Sequence, residues 1–183
     1  MYRFIVFSFA TLLFTCFALV IAGADQDKEN APDHMEPYTG SAEFEKIKSL
    51  EGTWTGTGLM HGEEQPVTVV YETTSAGSAV IETLFPDSPQ EMVSIYYEKD
   101  GKLVMKHFCM LKNQPLMGLK KSNGKTIELD LIGGTNMDAS KDSHMHSAVF
   151  TFVDENKIVQ SWTAYENGKA IEESTTLTLS RVK

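Results

Sequence analysis

The chain has 183 residues, and its 25 Asp and Glu against 16 Lys and Arg give a formal net charge of −9 at pH 7. This acidic balance disfavours nucleic acids and anionic membrane surfaces as partners, because both are bound through clustered cations. One of the two cysteines, Cys16, lies in the apolar N-terminal run, which leaves only Cys109 in the rest of the chain. An apolar core, and not an internal disulfide, must therefore hold the fold.

The first 24 residues have the composition of a secretory signal peptide. One positive charge at Arg3 precedes an apolar run over residues 4–21, and Ala22 and Ala24 supply small residues at positions −3 and −1 of a cleavage site. We predict residues 1–24 as the signal peptide of an exported protein, periplasmic or secreted, with no membrane contact after cleavage. The apolar run is also close to the ~20 residues that span a bilayer, so an uncleaved anchor is the alternative.

A polar segment separates the signal from the folded domain. Residues 25–40 are rich in charged and polar side chains and predict a disordered linker. The domain is expected to occupy residues 41–183 and to begin with a short helix that uses Ser41 as its N-cap. Phe44 and Ile47 lie near helical spacing in this segment, so we expect the helix to pack both side chains against the domain.

From Gly52 onward the apolar residues follow a period of two, which is typical of β-strands. Glycine, asparagine, aspartate and proline clusters separate most of the segments, as expected for tight turns. Short strands at regular spacing with no helix between them predict an all-β domain, a single antiparallel up-and-down barrel of about ten strands. The predicted strands are Thr53–Met60, Pro66–Thr74, Ser78–Phe85, Glu91–Lys99, Leu103–Leu111, Leu116–Lys121, Lys125–Ile132, His144–Val153, Lys157–Tyr165 and Ile171–Val182.

The first and last strands carry a structural signature. The first begins with Gly52, Thr53 and Trp54, and the last ends near Arg181. This arrangement resembles the calycin superfamily, in which a G-x-W motif opens the first strand and a basic residue stands on the last. The resemblance implies that Trp54 closes one end of the barrel with the Arg181 guanidinium across its ring, a contact worth roughly 0.5–2 kcal/mol.

Longer segments resemble a narrower family. VIETLFPDSPQEMVSIYY, LVMKHFCMLKNQP and HMHSAVFTFV are similar to segments of uncharacterised exported bacterial proteins that have a lipocalin-like, or nitrobindin-like, β-barrel. The resemblance implies the fold and the export of this chain. It implies no activity, because none is established for that family.

Four residues form a candidate metal site. His144 and His146 are two apart on a predicted strand, so both imidazoles lie on one face about 7 Å apart and can chelate one ion. His107 and Cys109 have the same spacing on a strand whose other face carries Lys106, which favours an inward position for both. The alternative is a solvent-exposed pair of histidines at a strand end and a hydrogen-bonded histidine in the core. No C-x-x-C or H-E-x-x-H motif accompanies these residues.

Two further groups are candidates for ligand contacts. Asn113 and Gln114 lie between two predicted strands, where their amides can hydrogen-bond a ligand at the barrel mouth or the backbone of their own turn. Glu91 lies close in sequence to Tyr96 and, if it were enclosed in an apolar lumen, would have a raised pKa suited to a general base. The alternative for Glu91 is a solvated loop carboxylate.

The sequence therefore supports three functions. The first is a barrel that binds a small, mostly apolar molecule in its lumen. The second is haem or transition-metal binding through His107, His144 and His146, by analogy with nitrobindin-like barrels. The third, an isomerase or hydrolase acting on an apolar substrate, is less favoured than a binding protein. No catalytic residue, firm cofactor or oligomeric state is predicted. The candidate ligand-binding residues are Glu91, Tyr96, His107, Cys109, Asn113, Gln114, His144 and His146.

Overall fold

The computed structural model describes residues 36–60, 62–172 and 175–183, so the predicted signal peptide (1–24) and most of the predicted linker lie outside the described residues. Within these ranges one α-helix, α1 (Ala42–Lys48), precedes eleven strands. Within the described residues no helix combines the length and the apolar character needed to cross a membrane. The strands are β1 (Gly52–Met60), β2 (Glu63–Thr74), β3 (Ala79–Leu84), β4 (Met92–Lys99), β5 (Lys102–Phe108), β6 (Gln114–Ser122), β7 (Thr126–Thr135), β8 (His144–Asp154), β9 (Lys157–Glu166), β10 (Lys169–Ala170) and β11 (Thr175–Arg181).

The sheet closes on itself. Consecutive strands from β1 to β9 pair side by side, and β11 completes the circle by pairing with β9 on one side and β1 on the other. Every pairing is antiparallel, and the two-residue β10 only extends the edge of β9. The prediction of an all-β, antiparallel, calycin-like barrel of about ten strands with a short N-terminal helix is confirmed.

The predicted strands differ from the observed ones by one to four residues at their ends, and two of them run into turns. The predicted strand that runs to Leu111 stops at Phe108, because Cys109 and Asn113 close a turn in which Lys112 has a φ of +64°. The last predicted strand does not begin at Ile171. Ile171 instead follows the hairpin of β9 and β10, where its N–H donates to the Ala164 carbonyl at 2.8 Å, and β11 begins only at Thr175.

The residues of the core are those that point to the inner face of the barrel, at every second position along the strands. On β3 the buried residues Val80, Glu82 and Leu84 alternate with half-buried ones, and the other strands repeat the pattern on their inner face. The helix adds Phe44 and Ile47, which are fully buried against this interior as predicted. The Ser41 side chain caps the helix by accepting a hydrogen bond from the backbone N–H of Phe44.

The end of the predicted linker contacts the barrel. The Tyr38 backbone N–H donates to the Ala76 carbonyl at 2.8 Å, and the Tyr38 hydroxyl donates to the Glu98 carboxylate at 2.5 Å. Glu98 also accepts a hydrogen bond from the backbone N–H of Ser41 at 2.9 Å. The segment before the helix is thus tied to the wall formed by β4 and to the turn after β2.

Trp54 closes the barrel end that α1 covers. Its side chain is 1 % exposed, and its Nε1 donates to the Leu50 carbonyl at 2.7 Å. The Arg181 guanidinium lies across the indole, 4.4 Å from the ring centroid, and donates to the Ser49 carbonyl at 2.6 Å. Helix, first strand and last strand therefore meet at one indole ring, which combines apolar burial with a cation–π contact.

Gly52 allows the chain to turn from the helix into β1. Its φ is +119°, a conformation that L side chains rarely adopt, while an added Cβ would meet nothing closer than Arg181 at 3.4 Å. We expect Gly52→Ala to lower the free energy of unfolding by about 1–2 kcal/mol through backbone strain alone. Urea denaturation measures this, with Gly133→Ala as the matched control, since an added Cβ at Gly133 meets no atom within 4 Å. Equal stabilities of the two variants would contradict the argument.

Candidate functional site

A cavity of about 440 Å³ opens at the barrel end opposite Trp54. The strand directions place it there, because its lining includes Met60 at the end of β1 and Gln65 near the start of β2, whereas Trp54 lies near the start of β1. Its volume falls within the roughly 300–1,000 Å³ of small-molecule sites. The lining residues are Met60, Gln65, Leu84, Phe85, Gln90, Met92, His107, Cys109, Met110, Leu111, Ser143, Met145, Trp162, Ala164, Ile171, Thr175 and Leu177.

The mouth of the cavity is apolar and exposed. Met110, Leu111 and Ile171 are 52 %, 49 % and 39 % exposed, and all three line the cavity. Met110 and Leu111 belong to the turn after β5, and Ile171 follows β10. Large apolar side chains that rim a concave site are typical of an entrance for an apolar ligand.

None of the described residues that line the cavity carries a formal charge at neutral pH. The polar groups are few: an imidazole, a thiol, two amides and two hydroxyls stand among methionine, leucine and aromatic side chains. Methionine side chains adapt to ligands of different shape because they are flexible and polarizable. The site is thus suited to a neutral, mostly apolar molecule held by one or two hydrogen bonds.

His107 is the polar residue set deepest in the wall. It is 2 % exposed, its Nδ1 lies 3.0 Å from the Ser94 hydroxyl, and its ring centroid lies 5.1 Å from that of Trp162. Burial lowers the pKa of His107 to about 4, so the imidazole is neutral at pH 7. Among the described residues no group hydrogen-bonds its Nε2. The inward position expected from the sequence is the one observed.

Cys109 also lines the cavity, in the turn that follows β5. Its backbone N–H donates to the Asn113 carbonyl at 3.2 Å, and the Lys112 N–H donates to the Cys109 carbonyl at 2.9 Å. Burial raises the pKa of the Cys109 thiol, which keeps it protonated at neutral pH. It therefore contributes a weakly polar wall to the site.

Asn113 and Gln114 stand behind the cavity wall. The Asn113 side chain is buried and donates to the Ser143 carbonyl at 2.8 Å, while its Oδ1 has no partner among the described residues. Gln114 donates to the Lys112 carbonyl at 3.3 Å and accepts from Asn136 at 3.0 Å. Both amides thus brace the turns at the mouth, and neither lines the cavity.

His144 and His146 lie together, and neither lines the cavity. Their Nε2 and Nδ1 atoms are 3.1 Å apart, and His146 stacks on Tyr165 with ring centroids 3.7 Å apart. Met145, between them, is the residue that lines the cavity. The structure separates this pair from His107 and Cys109, and the described residues contain no cluster of three or more metal-ligating side chains. The described part of the chain therefore does not bring the four candidate metal ligands together.

Glu91 and Tyr96 also occupy different places. Glu91 is exposed in the loop before β4, where its carboxylate accepts the Asp87 backbone N–H at 2.9 Å, so it is not a carboxylate enclosed in the lumen. Tyr96 is fully buried below the cavity and donates to the Glu82 carboxylate at 2.7 Å.

A buried polar network that was not predicted from the sequence lies beneath the cavity. Glu82 is fully buried, and its carboxylate accepts hydrogen bonds from Tyr71 at 2.6 Å, from Tyr96 at 2.7 Å and from Gln160 at 2.8 Å. Gln160 also donates to the Tyr71 hydroxyl and accepts from Trp162 Nε1 at 3.1 Å. The network therefore runs from the cavity wall at Trp162 to an acidic residue in the middle of the core.

Burial and hydrogen bonding act on Glu82 in opposite directions. Desolvation raises its pKa above the usual range, while the hydrogen bonds from Tyr71, Tyr96 and Gln160 act to lower it. Burial and the nearby carboxylate raise the pKa of both tyrosines far above their ordinary value, so each phenol keeps its proton and donates it.

No protein-family model matches the chain, and neither does any curated protein. The solved structure of Rv2717c from M. tuberculosis is similar, with a TM-score of 0.57 at 15 % identity over 79 % of this chain and 100 % of that one. A protein of unknown function from the DUF3598 family of Nostoc punctiforme gives a TM-score of 0.51 at 12 % identity over 74 % of this chain and 49 % of that one. At such identities the likeness shows a shared β-barrel fold alone.

Proposed function

We propose that this protein binds a small, neutral, mostly apolar molecule in the cavity at the open end of its barrel. The observation that carries the proposal is the cavity of about 440 Å³, whose described lining has no charged side chain and whose rim exposes apolar residues. Burying apolar surface contributes about 25 cal/mol per Å², so contact with the methionine, leucine and aromatic wall supplies most of the affinity. The few polar groups orient the ligand.

The predicted signal peptide supports a setting outside the cytoplasm for this activity. We propose that the barrel is exported and meets its ligand in the periplasm or outside the cell. The mass of the protein recovered from periplasmic and culture fractions tests this, because cleavage after Ala24 gives a defined N-terminus. A full-length protein that remains in the cytoplasm would contradict it.

Filling the cavity should abolish binding. Ala164 lines the cavity on β9, whereas its neighbour Thr163 does not. We expect the protein to bind the neutral dye Nile red with increased dye fluorescence, and Ala164→Phe to weaken that binding at least 10-fold by occupying the space. Thr163→Phe adds the same ring to the other face of the strand and should leave the dye affinity within 2-fold. Fluorescence titration measures both variants. Equal affinities for the two variants, or no dye binding by the wild type, would contradict the proposal.

Haem is a second candidate ligand, favoured by one observation. His107 presents a neutral imidazole to the cavity, and neutral imidazole is a common axial ligand of haem iron. The described lining offers no cationic side chain to pair with the haem carboxylates, which is why the neutral ligand ranks first. If haem is the ligand, titration gives a Soret band that His107→Ala removes. No spectral change, or a band that is unaltered in His107→Ala, excludes this candidate.

A further inference from the structure

Exposed apolar side chains are concentrated at the open end of the barrel. Among the residues that the structure describes, nine large apolar side chains are exposed, and six of these lie near the strand ends around the cavity mouth. The six are Leu59, Phe108, Met110, Leu111, Ile132 and Ile171. Single exposed apolar residues are common on protein surfaces, whereas a group of them at one place marks a site of contact with a membrane or another molecule.

The turn after β5 brings three of the six together. Phe108 is the last residue of β5, and Met110 and Leu111 follow in the turn; their exposed fractions are 41 %, 52 % and 49 %. Two backbone hydrogen bonds fix the shape of this turn, one donated and one accepted by the backbone of Cys109. The three apolar side chains, which we call the apolar tip, therefore stand on a defined backbone.

Two lysines flank the apolar tip, although the chain as a whole is acidic. From residue 101 to residue 127, a range that includes β5, the turn and β6, the sequence has six lysines and no aspartate or glutamate. Lys106 and Lys112 stand on either side of the tip, and the Lys106 ammonium lies 5.9 Å from the centroid of the Phe108 ring. Within the described ranges neither lysine pairs with a carboxylate. Both charges can therefore meet an anionic group outside the chain.

The apolar tip is continuous with the cavity. Met110 and Leu111 line the cavity, whereas Phe108 does not. A ligand that crosses this rim moves between the cavity and whatever covers the tip. If the cover is lipid, the ligand keeps apolar contacts on the way, and it avoids the cost of about 25 cal/mol per Å² for exposing apolar surface to water.

A bilayer of zwitterionic phospholipid complements both parts of this surface. Apolar side chains enter the boundary between headgroups and acyl chains, while the flexible stems of lysines let their ammonium groups reach the phosphates. Lipids of net negative charge fit less well, because the chain carries −9 at pH 7, and because exposed Glu63 and Glu64 at the start of β2 bring negative charge to the open end. A zwitterionic headgroup has a phosphate and an ammonium group, so it accommodates charges of both signs.

We propose that the open end of the barrel docks on a zwitterionic phospholipid bilayer through the apolar tip, with Lys106 and Lys112 at the level of the phosphates, and that the cavity exchanges its ligand there. The docking surface goes beyond the proposed function, and only the exchange of ligand rests on it. The sequence predicted no membrane contact after signal cleavage, on grounds of net charge, and those grounds apply to anionic surfaces and not to zwitterionic ones.

A tryptophan placed on the tip reports contact with lipid directly. Phe108→Trp puts an indole there without altering the cavity lining, and Val153→Trp puts one at a similarly exposed position at the opposite end of the barrel. Vesicles of phosphatidylcholine brominated in its acyl chains quench an indole that enters them. We expect them to remove about half or more of the emission that Phe108→Trp adds to the wild type, and none of that added by Val153→Trp.

Comparison of the two tryptophan variants keeps the test decisive. An apolar N-terminus that is retained would tether both variants alike, so it would not produce a difference between them. Equal quenching of the two variants, or no quenching of Phe108→Trp, would overturn the proposal. Flotation of the otherwise wild-type protein with the same vesicles gives a second measurement. Leu111→Asp, which places a charge on the tip, should reduce the bound fraction at least about 5-fold, and Val153→Asp should leave it unchanged.

Two further measurements separate the docking surface from other occupants and from the proposed function. Analytical ultracentrifugation without lipid tests a second copy of the chain: a dimer that Leu111→Asp dissociates, together with no quenching by vesicles, would overturn the proposal. Nile red titration without vesicles tests ligand binding alone. Dye binding without bilayer contact would overturn only the docking. Bilayer contact without dye binding would support the docking and overturn both the proposed function and the exchange of ligand.

Discussion

Glu82→Ala is expected to lower the free energy of unfolding by about 4 kcal/mol, a large fraction of the stability of a domain this size. The substitution removes the acceptor that Tyr71, Tyr96 and Gln160 share in a fully buried position. Each buried donor left without a partner costs about 1–3 kcal/mol, and the lost side-chain volume adds a cavity. Urea denaturation monitored by circular dichroism measures the change.

A matched surface variant separates this effect from the loss of one negative charge. Glu72 is exposed on β2, next in sequence to Tyr71, so Glu72→Ala should change stability by no more than about 0.5 kcal/mol. Tyr71→Phe, which removes a single hydroxyl from the network, should fall between the two. A Glu82→Ala protein as stable as Glu72→Ala would show that the network does not hold the core together.

Acidification should destabilise the protein through His107. Burial lowers its pKa to about 4 in the folded state, against about 6.5 in the unfolded chain, so the unfolded chain binds the proton more readily. The free energy of unfolding therefore decreases as the pH falls below about 6.5, and this decrease ends below about pH 4, where His107 is protonated in both states. The difference between the two values amounts to about 3 kcal/mol of stability, fully present above pH 6.5 and lost once both states are protonated.

Comparison of the wild type with His107→Gln isolates the contribution of His107 to the pH dependence of stability. Carboxylates also titrate in this range, so the free energy of unfolding is measured at pH 7 and pH 4.5 for the wild type and for His107→Gln, which does not titrate. The wild type should lose about 2.5 kcal/mol more than the variant between these pH values. Identical losses would mean that the folded protein accommodates a protonated His107.

The barrel could be predicted because its signals are local. Alternating apolar residues marked ten strands between turn residues, and each of those segments is a strand in the structure. The errors lie at strand ends, where tertiary contacts decide. The turn between Cys109 and Asn113 replaces the last residues of a predicted strand through two backbone hydrogen bonds that no periodicity reveals.

The candidate site was only partly predictable. His107 and Cys109 were placed on the inner face by the exposed position expected for Lys106, and both line the cavity. The pair at His144 and His146 shares a face as expected, yet a register shift between Met145 and Ser147 turns Met145 to the cavity instead. Bulges of this kind depend on the neighbouring strand and leave no mark in the alternation.

Glu82 was not among the predicted site residues, although the alternation of residues along its strand indicates an inward position. It alternates with Val80 and Leu84 in the segment V-I-E-T-L, so a strict period of two places its carboxyl in the interior. A lone acid in that position requires donors, and the donors come from β2, β4 and β9, far apart in sequence. Only the closure of the barrel brings Gln160 within reach of Glu82.

Hydrogen bonding between Glu82 and Gln160 joins opposite walls of the barrel, and this gives the binding site a fixed depth. Leu84 and Trp162 line the cavity, whereas Glu82 and Gln160, which precede them by two residues on the same strands, do not. A linear ligand that inserts its alkyl chain first therefore reaches a floor formed by the hydrogen-bonded side chains of Glu82 and Gln160. Across a homologous series of alcohols, each added methylene should improve affinity until the chain reaches that floor. Longer homologues would leave their additional carbons in water and gain no further affinity. The depth of the cavity would therefore set the preferred chain length of the ligand.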